Sequence, residues 1–197
     1  MKFFKKFKKE KDVNIAIEVF SELSSSKLGR YLGYPILDLE IIEKDGEKGF
    51  IMEYLPDRAI PTVLNIEKLK EALAFEEWTL NIDLKEDHVL MKDNNAYIID
   101  HGHTLTAWKP LYYIQQIINS KVSRFNLWSD YESFYSGVRN IKSIDFKTIE
   151  KILKETSKEI LDLNFCSMYT QSVANEHIDL SLRILKYRLN ILHNLFY

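Results

Sequence analysis

Hydrophobic and polar positions change period along this chain, and each change marks an element. Phe and Lys alternate loosely over residues 2–9, which predicts a strand with Phe3 or Phe7 turned inward; a basic tail touching phosphate or membrane is the other reading of that run. Glu10, Lys11 and Asp12 read as a polar turn. Ile15, Val19, Leu23, Leu28 and Leu32 then recur at helical spacing over residues 14–32, with Ser24-Ser25-Ser26 loosening the middle. Gly33-Tyr34-Pro35 ends that helix, a flexible residue followed by one a helix cannot hold. Strand alternation returns at 36–42 and 49–55 around the Asp45-Gly46 turn, and Pro56 stops the hairpin. A helix is predicted from 66 to about 80. The apolar runs 88–91 and 96–99 flank Lys92-Asp93-Asn94-Asn95 and read as a second hairpin. Beyond Gly102 the periodicity is helical, over 111–119, 130–138, 145–161 and 177–196.

Strands before helices make this an α+β chain, and 197 residues suffice for one domain with a core of its own. Composition adds limits. The chain is 46% hydrophobic and 28% charged, a globular balance, and its net charge of -2 gives no global pull toward nucleic acid, which is not expected as a partner. Cys166 alone offers no intrachain disulfide and suits a reducing compartment. Charges interrupt every apolar run, so no transmembrane segment is expected and a cytoplasmic location is.

Candidate chemistry gathers on the second hairpin. Asp83 lies on a loop just before it, His88 opens its first strand, and Asp100 ends its second, with Gly102 letting the chain turn away. A carboxylate closing a Tyr-Ile-Ile run is costly unless it is paired or binds a cation. Clustered ligands of this kind suit magnesium bridging nucleotide phosphates, with one Asp at the acceptor hydroxyl and the other at the metal. Asp83 suits the first role, or simply caps its loop; Asp100 and His88 suit the second. Upstream, Met52, Glu53, Tyr54 and Leu55 form a strand-to-linker joint able to offer backbone groups to an adenine edge. His101 and His103 lack a third partner for zinc, and His101 is read as a brace for the hairpin.

This order resembles the HipA-like kinases, distant relatives of the phosphoinositide kinases. Glu22-Leu23 through Leu32-Gly33-Tyr34-Pro35, Asn81-Ile82-Asp83, Ile99-Asp100-His101-Gly102 and the closing Leu185-x-x-Arg188-x-x-x-Leu192 each look like a motif of that family. The resemblance implies a kinase-like fold with a reduced amino-terminal lobe over 1–55, a helix plus antiparallel strands, and a mostly helical carboxyl-terminal lobe over 56–197. It also implies ATP and magnesium as cofactors, a Lys6–Glu22 pair on the phosphates, and phosphoryl transfer to a protein or small-molecule hydroxyl. Leu84 stands where the family has Arg, His88 where it has a metal-binding Asn, and no glycine-rich loop precedes Lys6. A pseudokinase that serves as an interaction module is the alternative these departures raise.

Overall fold

The Phe-Lys alternation becomes β1 (Lys2–Lys6) in a computed structural model that describes residues 1–9 and 12–196; the polar turn expected at Glu10 and Lys11 lies outside them. β1 is an edge of a three-stranded antiparallel sheet of order β1-β3-β2, with β2 (Leu39–Lys44) and β3 (Glu47–Glu53) forming the first hairpin. Asp45 and Gly46 take φ of 53° and 74°, the left-handed pair whose twist matches a two-residue hairpin. β2 begins at Leu39 rather than Ile36, because Ile36 and Leu37 bond elsewhere. Leu37 N–H donates to the Ile98 carbonyl (3.1 Å) and Ile98 N–H to that of Pro35 (2.8 Å), stitching this segment to the second hairpin.

Helix α1 (Val13–Tyr31) starts where the Asp12 carboxylate accepts from Asn14 N–H. Its serines do not loosen it. Ser24, Ser25 and Ser26 are buried, with Ser25 bonded to Thr104 (2.9 Å) and Ser26 donating to the Leu37 carbonyl (2.7 Å). The helix expected over 66–80 is broken at Ala72 into α2 (Ile66–Glu71) and α3 (Leu73–Trp78). A second antiparallel sheet has the order β4-β5-β6, from β4 (Asp57–Arg58), β5 (Val89–Lys92) and β6 (Asn95–Ile98).

The rest is helical: α4 (Leu111–Ile117), α5 (Tyr131–Lys142), α6 (Phe146–Leu163) and α7 (Gln171–Ile191). α6 lies along α1, and behind the first sheet Phe7 meets Phe50 and Phe165 with ring centroids 4.9 and 5.0 Å away. One core cluster runs from α1 through the sheets to α7, so helices and strands share an interior in an α+β fold. No helix among the described residues is long and apolar enough to cross a membrane.

Candidate functional site

Between the first sheet and the second hairpin lies a cavity of about 370 Å³. Leu37, Leu39, Leu55, Leu90 and Ile98 give it apolar walls, and Lys5, Glu22 and Asp100 a charged corner. Met52, Glu53, Tyr54 and Leu55 all line it, where the last two residues of β3 pass into the linker. Glu53 also binds Lys92 across the rim.

The lysine of this corner is Lys5, which corrects the expectation of Lys6. Lys5 Nζ stands 2.5 Å from Asp100 Oδ1 and 4.0 Å from Glu22 Oε2, whereas Lys6 points the opposite way and lies 3.8 Å from Glu47. Neighbours on a strand face opposite sides, and in the Lys5-Lys6 pair only the register against β3, Lys5 beside Phe50, decides which one enters. Burial would pull the Lys5 ammonium down, but Glu22 and Asp100 outweigh it and hold its pKa above the usual value. Asp100 is the mirror case: burial would raise its carboxyl, and Lys5 and His88 carry it lower. Glu22, buried in α1, is raised chiefly by burial. Lys8 and Lys9 also pair within the chain, Lys8 with Glu18 (2.8 Å) and Lys9 with Glu47 (2.8 Å).

The hairpin sets His88 beside Asp100. Val89 pairs with Ile98, and Ile99 N–H donates to the His88 carbonyl (2.9 Å), so the two flanking side chains meet with His88 Nε2 3.9 Å from Asp100 Oδ2. That gap exceeds a hydrogen bond. Burial lowers the His88 pKa, partly offset by Asp100, and its Nδ1 is buried without a hydrogen-bond partner among the described residues. Asp100 has φ of +60°, a strained left-handed conformation for a residue with a side chain.

Asp83 departs from expectation. It does not line the cavity; its carboxylate lies 3.8 Å from Arg124 and 3.5 Å from Lys85. The adjoining Leu84 is sunk in the core, which fixes this loop and turns Asp83 toward the two cations.

One buried residue behind the site, Glu76, has no place in the motifs read from the sequence. Glu76 Oε1 is 2.9 Å from His101 Nε2, and its Oε2 accepts from Asn81 Nδ2 (2.6 Å), while Asn81 Oδ1 accepts from Asp83 N–H (3.2 Å). His101 is thereby tied to α3 through Glu76. Burial lowers its pKa, but Glu76, Glu22 and Asp100 together raise it. The missed signal was spacing: Glu76 and Glu77 follow Leu73 at three and four residues, on the face a helix buries.

Asp100 Oδ2 and His88 Nε2 are the two donors that a divalent cation would share here; at 3.9 Å they stand wider apart than the roughly 3 Å that separates adjacent ligands on one octahedral ion. The imidazole nitrogen departs from magnesium's all-oxygen preference. No cluster of three or more His, Cys, Asp or Glu suited to a metal exists among the described residues, so a cation held here takes its other ligands from substrate and water. No protein family, curated protein or solved structure is matched by the chain.

Proposed function

We propose that this chain is a kinase-like protein that binds ATP in the cavity and transfers its terminal phosphoryl group to a hydroxyl of a protein or small molecule. The observation that carries this reading is the Lys5–Glu22–Asp100 corner in the wall of an otherwise apolar cavity bordered by the β3 linker. A strand lysine paired to a helix glutamate, next to a metal-binding Asp, is the arrangement phosphoryl transfer uses for positioning and charge stabilisation. The resemblance to HipA-like kinases supports the same assignment. Lys5 would hold phosphate oxygens, Glu22 would hold Lys5, residues 52–55 would border the base, and Asp100 with His88 would hold a divalent cation. That cation supplies charge neutralisation on the phosphates. Asp83 would orient the acceptor hydroxyl.

The test is a thermal shift with a non-hydrolysable ATP analogue and a divalent cation. A ligand at a hundred times its Kd stabilises the native state by about 2.7 kcal/mol, so the midpoint rises in the wild-type chain and not in Lys5→Ala or Asp100→Ala. An unmoved wild-type midpoint at millimolar nucleotide overturns the proposal. A nucleotide binder without transfer is favoured by one observation, the position of Asp83 off the cavity wall between Lys85 and Arg124. ADP formation from ATP, in the presence of protein and small-molecule hydroxyl acceptors, that is lost in Asp83→Asn supports transfer; ADP formation that is absent from the wild type, or unchanged in the variant, supports the binder. The basic-tail reading has less support, because Lys5, Lys6, Lys8 and Lys9 face carboxylates of the same chain.

A further inference from the structure

We infer that the open edge of β1 docks an acidic, extended segment of another protein, which adds to the first sheet as a fourth strand antiparallel to β1. The inference stands on the sheet itself and does not rest on the nucleotide reading. β1 is an edge strand, paired on one side only, with β3. Two hydrogen bonds just beyond its ends fix which residues face that pairing: Tyr54 N–H donates to the Met1 carbonyl (3.0 Å), and Phe7 N–H to the Lys48 carbonyl (2.9 Å). Backbone groups alternate in direction along an antiparallel strand, so the odd residues bond β3 and those of Lys2, Phe4 and Lys6 point out along the open edge. Such a row of donors and acceptors is a template for one more strand, and antiparallel pairing is the more stable kind per residue.

Side chains select the strand. The same three residues put theirs on the outer face of the sheet, opposite Phe3 and Lys5, which line the cavity. Phe4 lies against Gly49, where an added Cβ would come within 2.8 Å of its ring, so the ring leans over β3 and leaves the edge clear. Lys2 and Lys6 are both exposed, and the carboxylates nearest them are engaged elsewhere. Glu53, across from Lys2, binds Lys92, and Glu47, 3.8 Å from Lys6, binds Lys9 at 2.8 Å. A second copy of this chain is a poor occupant. Two β1 strands pairing antiparallel about Phe4 would set Lys2 of each against Lys6 of the other, and like charges directly opposite destabilise a sheet. Acidic residues at those two places turn both repulsions into cross-strand pairs. The partner segment is therefore apolar opposite Phe4 and acidic two residues to either side.

The probe is the acetylated, amidated peptide Thr-Glu-Thr-Phe-Thr-Glu-Thr carrying a fluorophore, titrated with the whole chain and read by polarisation. Saturable binding is expected, weakened about tenfold or more when Lys replaces both Glu in the peptide, since two favourable pairs become two repulsive ones. N-methylation of the central Phe removes an N–H aimed at the Phe4 backbone and should abolish binding. N-methylation of the Thr beside it, whose N–H points away from β1, should not; mere attraction of opposite charges would be indifferent to both. The double variant Lys2→Glu/Lys6→Glu should transfer the preference to the lysine peptide. No saturation at millimolar peptide, equal affinity for the two peptides, or equal effects of the two N-methylations overturns the inference. A wild type that dimerises and excludes the peptide overturns it in favour of the second copy. Misfolding of the double variant would not hide the result, because the peptide series is read on the wild type.

Discussion

At the residue scale, Gly102 shows how closely the segment after Asp100 approaches α1. A Cβ added there would lie 2.9 Å from Glu18 Cγ and 3.1 Å from Glu22 Oε2. Glu18 cannot move freely, since it accepts from Trp108 Nε1 (2.6 Å) and Lys8 Nζ (2.8 Å). Gly102→Ala is therefore expected to cost about 1–3 kcal/mol in urea unfolding, the usual penalty of overpacking. Lys109 makes a second prediction at this scale. Its ammonium is buried, donates among the described residues to the His103 and Ala107 carbonyls, and burial lowers its pKa to about 7. In the unfolded chain the group keeps its ordinary value of 10.5. Between those two values the unfolded chain binds more protons, so this lysine subtracts stability that returns as pH rises. Lys109→Met should raise the thermal midpoint most at pH 6, with the gain shrinking steadily toward pH 10; a gain independent of pH would contradict the account.

At the scale of elements, α3 is the organiser of the site though it touches neither the cavity nor its rim. Helical spacing turns Glu76 and Glu77 inward beside Leu73, and each carboxylate then finds buried donors. Glu76 joins the loop before Asp83 to the turn after Asp100, so a single side chain sets the distance between the two halves of the site. Glu76→Gln keeps the shape but offers one acceptor oxygen where two donors point. We expect a loss of about 1–3 kcal/mol from the donor left unpaired, with weakened nucleotide binding in the surviving folded fraction. Urea unfolding and calorimetric titration check the two effects separately; intact nucleotide affinity would show that Asp100 does not depend on this brace.

At the scale of the whole molecule, the last long helix holds the segment after the site in place. Arg188 on α7 reaches Glu77 Oε2 at 2.9 Å with both side chains buried, and its guanidinium also donates to the Ile118 (2.9 Å) and Ser120 (2.8 Å) carbonyls. Glu77 in turn accepts from Val122 N–H (3.0 Å) and Ser123 N–H (2.9 Å). Three stretches far apart in sequence, around Glu77, residues 118–123 and Arg188, meet on one ion pair. Arg188→Met leaves a buried carboxylate without its counter-ion and should cost about 3–5 kcal/mol, while the double variant Arg188→Met/Glu77→Met should recover part of that loss. Equal stability of single and double variants would mean that the charge left behind is not what destabilises.

Local pattern by itself determined the elements and their order: the helix over 14–32, both hairpins with their Asp-Gly and Asp-Asn turns, and helices after Gly102. It also determined that His88 and Asp100 would flank one hairpin, because antiparallel pairing across a short turn is a near-neighbour property. Tertiary structure alone decided which of Lys5 and Lys6 enters the cavity, since a shift of one residue in the register of β1 on β3 exchanges the faces. It alone turned Asp83 off the cavity wall and bent the predicted helix at Ala72. β4 exists only because β5 lends its edge to two residues too few to show a period. Spacing along a chain fixes what a residue's neighbours in sequence can do; distances between segments come from packing, which no single segment contains.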